Sequence, residues 1–216
     1  MDYRIRRSDR ARRVRVTVEP DGSVVVTLPR RAAERQAAAA VQELAPWIAR
    51  RRAQVAAART AAQREPGTVP YLGETLTLRP EPGRTRAHRH ADALLVPADQ
   101  EQRHLALERW YRRRAAAEIG PRLDAACAQA GLRYSGLTIR GQKTRWASCS
   151  ARGAMSFNWR LLLAPPEILD YVVWHEVCHL AHMDHSPRFW GLLAQHRPGY
   201  ERERAWLRSY GATLVL

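Results

Sequence analysis

The chain has little cysteine, a single lysine and no long apolar run, and each shortage removes a class of protein. Cys127, Cys149 and Cys178 are too few and too unpatterned for a disulfide framework or a four-cysteine zinc site. No stretch reaches the ~18 consecutive apolar residues of a membrane-spanning helix. The most apolar segment, residues 161–180, is broken by Pro165, Pro166, Glu167, Asp170, His175, Glu176 and His179. The first seven residues carry positive charge with no apolar segment behind them, so no secretory signal is expected and the sequence reads as cytoplasmic and soluble. A Walker-type or other glycine-rich phosphate loop is also missing.

Positive charge is abundant. The 216 residues contain 36 basic and 21 acidic side chains, a formal charge of +15, and Lys143 is the one lysine. The excess is spread: residues 1–70 hold 15 arginines against 7 acids, and residues 71–216 hold 21 basic groups against 14 acids. An arginine- and alanine-rich composition produces such an excess without any function. It favours acidic partners in general, without choosing among nucleotides, nucleic acids and acidic proteins. Lys143 is sharper, because an ammonium is a compact point charge where arginine offers a planar fork.

Along the chain, residues 13–28 read as a β-hairpin, two valine-rich runs flanking an Asp21-Gly22 turn. Residues 32–62 read as two helices split near Leu44 and Pro46, with Val41, Leu44, Trp47 and Ile48 on an apolar side and Arg50-Arg51-Arg52 on a solvated one. Residues 63–97 are turn-rich, with short strands around Tyr71-Leu72-Gly73 and residues 94–96 and surface histidines His88 and His90. A helix follows from Asp99 to about Ala130, with a break expected at Gly120-Pro121. Strands are expected over residues 137–140, 144–146 and 155–159. Helices then start at Pro165-Pro166, at Ser186-Pro187 and at Tyr200, the first running to Met183-Asp184. Strands grouped before helices give an α+β class. The expected division is an N-terminal hairpin and helix extension, residues 1–97, followed by a hydrolase domain, residues 98–216.

The chemistry concentrates between Tyr171 and Trp190, where four of the eight histidines fall between positions 175 and 185. On a helix, His175 and His179 lie about 40° apart and one turn apart, so two imidazoles can close on one zinc ion at ~2.0–2.1 Å. Glu176 sits about 100° around from His175, beside the ligand pair and free to act as a base on water at the metal. In a mostly apolar helix, unpaired histidine and glutamate are costly to bury, which favours this reading over two satisfied core histidines. A catalytic zinc takes three protein ligands. The candidates for the third are His185, beyond the helix end; His182, within about 20° of His175 on the same face; and Glu201 or Glu203 on the last helix. His185 is favoured, because a third ligand from one straight helix fits tetrahedral geometry poorly. The spacing of His175, His179 and His185 equals that of the metzincins, but His182 stands where their glycine is required. Cys149 and Cys178 read as packing cysteines, Cys178 pointing about 80° away from the histidine pair.

The chain resembles the YgjP-like metallopeptidase family, related to SprT-like and other zincin-fold metalloproteins. Three segments carry the resemblance: Arg140-x-x-Lys143-Thr144-Arg145-Trp146-Ala147-Ser148-Cys149-Ser150 with Asn158-Trp159-Arg160-Leu161, then Tyr171 through Leu180, then His185-Ser186-x-x-Phe189-Trp190. Weaker similarity runs through the N-terminal hairpin, Trp47-Ile48 and Tyr71-Leu72-Gly73. The resemblance implies a zincin-like fold, with a small antiparallel sheet packed on the HExxH helix and C-terminal helices. It implies one zinc ion held by His175, His179 and His185, with Glu176 as catalytic acid/base. The family usually has glycine where this chain has Ala147. A zincin strand edges the cleft and can pair with an extended substrate. Strand alternation would put Lys143 and Arg145 on one face, either lining that cleft as substrate-binding cations or paired with acids such as Asp170 or Asp184.

The leading expectation is therefore a zinc-dependent hydrolase acting on peptides. One rival is a nucleoside-triphosphate hydrolase using the same metal, with Arg140, Lys143 and Arg145 on phosphates. Another is a nucleic-acid-associated protein with a structural zinc, against which an open fourth position argues.

Overall fold

The structure, a computed structural model, describes residues 1–19, 21–61, 63–142 and 144–216; Pro20, Ala62 and Lys143 lie outside the described residues. The chain packs into two units, Met1–Gln63 with Ser209–Thr213 and Arg64–Arg208 with Leu214–Leu216. The second packing unit takes in the turn-rich stretch from Arg64 onward. Val69, Tyr71, Leu76, Leu94 and Val96 of that stretch enter the core of the second unit, and this burial decides where it belongs.

The first unit contains β1 (Arg4–Ser8), β2 (Arg15–Val18), β3 (Val24–Pro29), α1 (Arg35–Glu43) and α2 (Ala45–Ala61). β2 pairs antiparallel with β3, and β1 pairs parallel on the other side, in the order β1-β3-β2. The sequence reading does not contain β1, because its charged residues show no apolar alternation. One face of β3, with Val24, Val26 and Leu28, buries against Ala37 and Val41 of α1 and Ile48 and Val55 of α2. Leu44 and Trp47 are 36% and 40% exposed, unlike the apolar side expected for them. α1 stops at Glu43 and α2 starts afresh at Ala45, so the apolar spacing does not carry across the break.

The second unit contains β4 (Thr68–Tyr71), β5 (Glu74–Glu81), β6 (His88–His90), β7 (Ala93–Pro97), α3 (Gln100–Ala130), β8 (Gly136–Arg140), β9 (Ala147–Cys149) and β10 (Ala154–Asn158). A 3-10 turn over Trp159–Leu163 follows, then α4 (Pro166–Ala181), α5 (Pro187–His196) and α6 (Tyr200–Tyr210), the last two residues of α6 grouping with the first unit. The strands form two sheets, β4-β5-β7-β6 and β8-β10-β9. The class is α+β. The second sheet is mixed and not purely antiparallel, since β10 runs parallel to β8 and antiparallel to β9. The strand expected at residues 144–146 lies instead at Ala147–Cys149. The buried Asn158 engages the residues ahead of that strand: its Nδ2 donates to the carbonyls of Gln142 at 2.7 Å and Arg145 at 3.3 Å, and its backbone N–H donates to the Trp146 carbonyl at 2.7 Å. Ala147, in the position of the family glycine, sits half-buried opposite Phe157.

α3 runs unbroken through Pro121, contrary to the break expected there. Its buried stripe of Tyr111, Ala115, Ile119, Leu123 and Ala126 continues on both sides of the proline, and packing outweighs the one backbone bond lost. Arg122 Nη1 also donates to the Glu118 carbonyl at 2.7 Å. Asp99 caps the helix by accepting from the Gln102 N–H at 2.8 Å. The Tyr71-Leu72-Gly73 segment docks where α4 begins. Leu72 N–H donates to the Leu162 carbonyl at 2.8 Å, and a Cβ on Gly73, at φ +85°, would lie 3.3 Å from Pro166. Among the described residues, no helix is long and apolar enough to cross a membrane.

Candidate metal centre

α4 begins on Pro166 with Glu167 in its first turn, the chemistry that favours a helix start. Ile168, Leu169, Val172, Val173, Trp174, Val177 and Cys178 bury most of its circumference, so the polar side chains on the same helix are enclosed as well. Glu176 is 5% exposed and His179 is 8% exposed. The helix ends at Ala181, ahead of the Met183-Asp184 end expected, because His182 turns into extended backbone as its C-cap. Asp184 then accepts the Ser186 N–H at 3.3 Å and Pro187 opens α5, so the chain reverses within a few residues and returns His185 to α4.

The three rings converge. Centroids lie 5.0 Å apart for His175 and His179, 5.1 Å for His175 and His185, and 4.8 Å for His179 and His185. One nitrogen from each ring lies within 4.8 Å of the others. The Nε2 atoms of His175 and His185 face each other at 3.1 Å. Two nitrogens on one zinc at ~2.0–2.1 Å and the tetrahedral angle stand about 3.3 Å apart, so this separation suits a shared ion. The Nδ1 of His179 is 3.0 Å from the His182 carbonyl. A carbonyl only accepts, so Nδ1 carries the proton and the Nε2 lone pair of His179 is free for a metal. His182 thus contributes through its backbone.

Electrostatics point the same way. Burial, followed by the neighbouring His179 and His185 and then Arg204, holds His175 down at about 3. Burial also lowers His179. Both rings are neutral at pH 7, the form that binds a metal. Burial pushes Glu176 up to about 8, opposed by a hydrogen bond from the Cys149 backbone N–H. The group alone is therefore mostly protonated at pH 7, and a dication bound beside it would draw it down to the carboxylate. The hydrogen bond from Cys149 ties the carboxyl group to β9, while Glu176 Oε2 and His175 Nδ1 are buried without a partner among the described residues. Three imidazoles with free lone pairs beside an unsatisfied carboxylate oxygen form a donor set that fits zinc and other divalent first-row metals.

An aromatic bed supports the cluster. Phe189, fully buried, lies 4.9, 4.6 and 4.8 Å from the rings of His175, His179 and His185. Trp190 stacks on His185 at 5.4 Å and on Tyr200 at 5.5 Å, and the guanidinium of Arg204 sits 4.4 Å over Trp190. His185 is exposed on its turn, and its ring packs on Trp190 and Phe189.

The structure brings together His175, Glu176, His179 and His185 and leaves the other candidates apart. Glu203 ion-pairs with Arg197 at 2.9 Å, Glu201 is exposed, and neither joins the histidine group. Cys178 is buried packing, its thiol pushed up to about 12, and Cys149 serves through its backbone N–H. Lys143 lies outside the described residues. Arg145 is exposed and precedes β9, so the strand alternation expected for it does not exist, and Arg140 is exposed at the end of β8. Asp170 pairs with Arg122 at 3.2 Å. Sequence reasoning missed the Trp190, Tyr200 and Arg204 stack, although Phe189-Trp190 four residues after His185 was the available signal.

Residues 12–210 match the family model described as the YgjP-like metallopeptidase domain. The chain therefore belongs to the YgjP-like metallopeptidase family, whose domain implies a metal. Among solved structures it is similar to the metallopeptidase zymogen abylysin of Pyrococcus abyssi, 23% identical over 41% of this chain and 90% of that one, with a TM-score of 0.39. It is also similar to the zymogen jannalysin of Methanocaldococcus jannaschii, 20% identical over 42% and 91%, with a TM-score of 0.37. No curated protein matches the chain.

Proposed function

We propose that the chain is a zinc-dependent peptidase of zincin-like fold, in which His175, His179 and His185 hold one zinc ion and Glu176 moves the proton. The observation that carries this reading is the meeting of three imidazoles, 4.8 to 5.1 Å between centroids, beside a buried carboxylate whose second oxygen has no partner. Zinc bound there would polarise a scissile carbonyl and acidify water at the site. Glu176 takes a proton from the attacking water and returns it to the departing amine, its carboxylate kept in line by the Cys149 N–H. The His182 carbonyl and the Trp190 ring fix His179 and His185, so neither must be ordered when the metal binds.

Family membership favours peptide bonds over nucleotides as the target. The zinc-loaded chain should cleave casein or a mixed peptide library and leave nucleoside triphosphates intact. Glu176→Gln should keep zinc and lose about 10²–10⁴-fold in turnover. Normal turnover by that variant, or a wild-type chain that binds no zinc, ends the proposal.

A further inference from the structure

Residues 3–18 contain seven arginines and one acid, Asp9. Three of those arginines have partners. Arg7 donates to Glu34 at 3.2 Å and to the carbonyls of Arg30 and Ala32 at 2.9 Å, Arg4 reaches Ser23 at 3.4 Å, and Arg6 donates to Thr27 Oγ1 at 3.1 Å. Asp9 is taken by Arg30 at 3.2 Å. Arg10, Arg12, Arg13 and Arg15 have no hydrogen-bond or ion-pair partner among the described residues.

These side chains share one concavity. Arg6 and Arg15 are both in register with Thr27, one from each flanking strand, on the sheet face opposite the Val24, Val26 and Leu28 core. The loop from β1 to β2 adds Arg10, Arg12 and Arg13, closing a cleft of about 660 Å³ whose floor is the buried Thr27. No carboxylate lines it. An arginine-rich composition accounts for the number of these residues but not for their gathering on one face while the one acid of residues 3–18, Asp9, pairs with Arg30. Like charges held this way repel one another, and a bound polyanion removes the repulsion.

We propose that this cleft is a binding site for the phosphate backbone of duplex nucleic acid. Guanidinium forks match phosphate oxygens two at a time. No aromatic ring lines the cleft on which an unpaired base could stack, and its only apolar lining is Ala11 and Val14, so it has no seat for the side chains of a peptide. What remains is contact with a regular array of charges, which a duplex backbone presents and an acidic polypeptide, its carboxylates on flexible side chains, does not. The +15 charge of the chain adds long-range attraction. Binding is expected to be independent of base sequence. The inference concerns the first unit and does not rest on the peptidase reading.

The test is fluorescence anisotropy of the full chain with a mixed-sequence 20-base-pair DNA duplex between 50 and 200 mM NaCl. If about five phosphates are neutralised, log affinity should fall with log salt at a slope of about −4 to −5, unchanged for a scrambled duplex. The triple variant Arg10→Gln, Arg12→Gln, Arg13→Gln should flatten that slope by about three and weaken binding at least tenfold. The matching lysine triple should keep most of the slope. Arg50→Gln, Arg51→Gln, Arg52→Gln, an equal loss of charge on α2, should weaken binding by no more than about twofold, through long-range attraction alone. Should the first triple unfold by circular dichroism, Arg12→Gln alone must flatten the slope by about one. No duplex binding at 50 mM salt, equal losses in the two glutamine triples, or tighter binding to polyglutamate than to the duplex each overturns the proposal.

Discussion

The two packing units solve the burial problem differently. The first builds its core from aliphatic side chains of modest size, Val18, Val24, Val26, Leu28, Ala37, Val41, Ile48 and Val55, and keeps its charge outside. The second buries Trp110, Tyr111, Phe157, Trp159, Trp174 and Phe189 together, and encloses Glu176, His179, Asn158 and Ser156 among them. A buried ionisable group needs a rigid, extensive wall to exclude water and fixed dipoles to orient it. Only the second unit supplies both. Backbone groups hold three of these polar residues, His179 through the His182 carbonyl at its own helix end, Asn158 through the Gln142 and Arg145 carbonyls and Glu176 through the Cys149 N–H, while Ser156 meets the Ser148 hydroxyl.

The largest effect is expected at His179. Zinc at about a thousand times its dissociation constant should stabilise the wild-type chain by about 4 kcal/mol. His179→Ala should show no zinc-dependent rise in melting temperature; a retained rise means the metal sits elsewhere. Comparable cuts in the two cores come next. Leu28→Ala and Leu123→Ala should each cost about 2–5 kcal/mol in denaturant titrations. Zinc affinity, read by competition with a chelator dye, should be unchanged in Leu28→Ala. A joint loss of affinity in both would erase the distinction between the units.

Trp190→Ala tests the stack that steadies His185. It should weaken zinc binding about 10–100-fold, with Trp190→Phe recovering much of the loss because a smaller ring still stacks. Equal affinity in wild type and Trp190→Ala would show that the turn alone holds the ligand. The smallest effect is expected at the α3 cap, where Asp99→Ala should cost about 1 kcal/mol and leave zinc affinity alone. Thermal melts with and without zinc measure both quantities.

Much of the site is legible in the residues themselves because its logic is local. His175, Glu176 and His179 share one helix, and 3.6 residues per turn is enough to align them. His185 is nearly as local, since a turn of Asp184, Ser186 and Pro187 sends the chain back at once. The misreadings have a common cause. Pro121 reads as a helix break and residues 144–146 as a strand because local propensity is blind to what lies across the core. There the Ile119 and Leu123 stripe keeps α3 continuous, and Asn158 takes up the carbonyls of Gln142, Arg145 and Trp146. β1 was invisible because a strand of arginines has no apolar period to detect.

Residue spacing alone, then, specified a helix bearing two imidazoles and a carboxylate, an α+β chain and an excess of positive charge. Tertiary structure decided which further histidine meets His175 and His179, which backbone groups orient His179 and Glu176, and where arginines without a partner among the described residues gather. Helical periodicity acts over a few residues and is written into them. The contact of Trp190 with Tyr200, or of Glu176 with β9, depends on how separate elements pack, and no short stretch of chain contains that information.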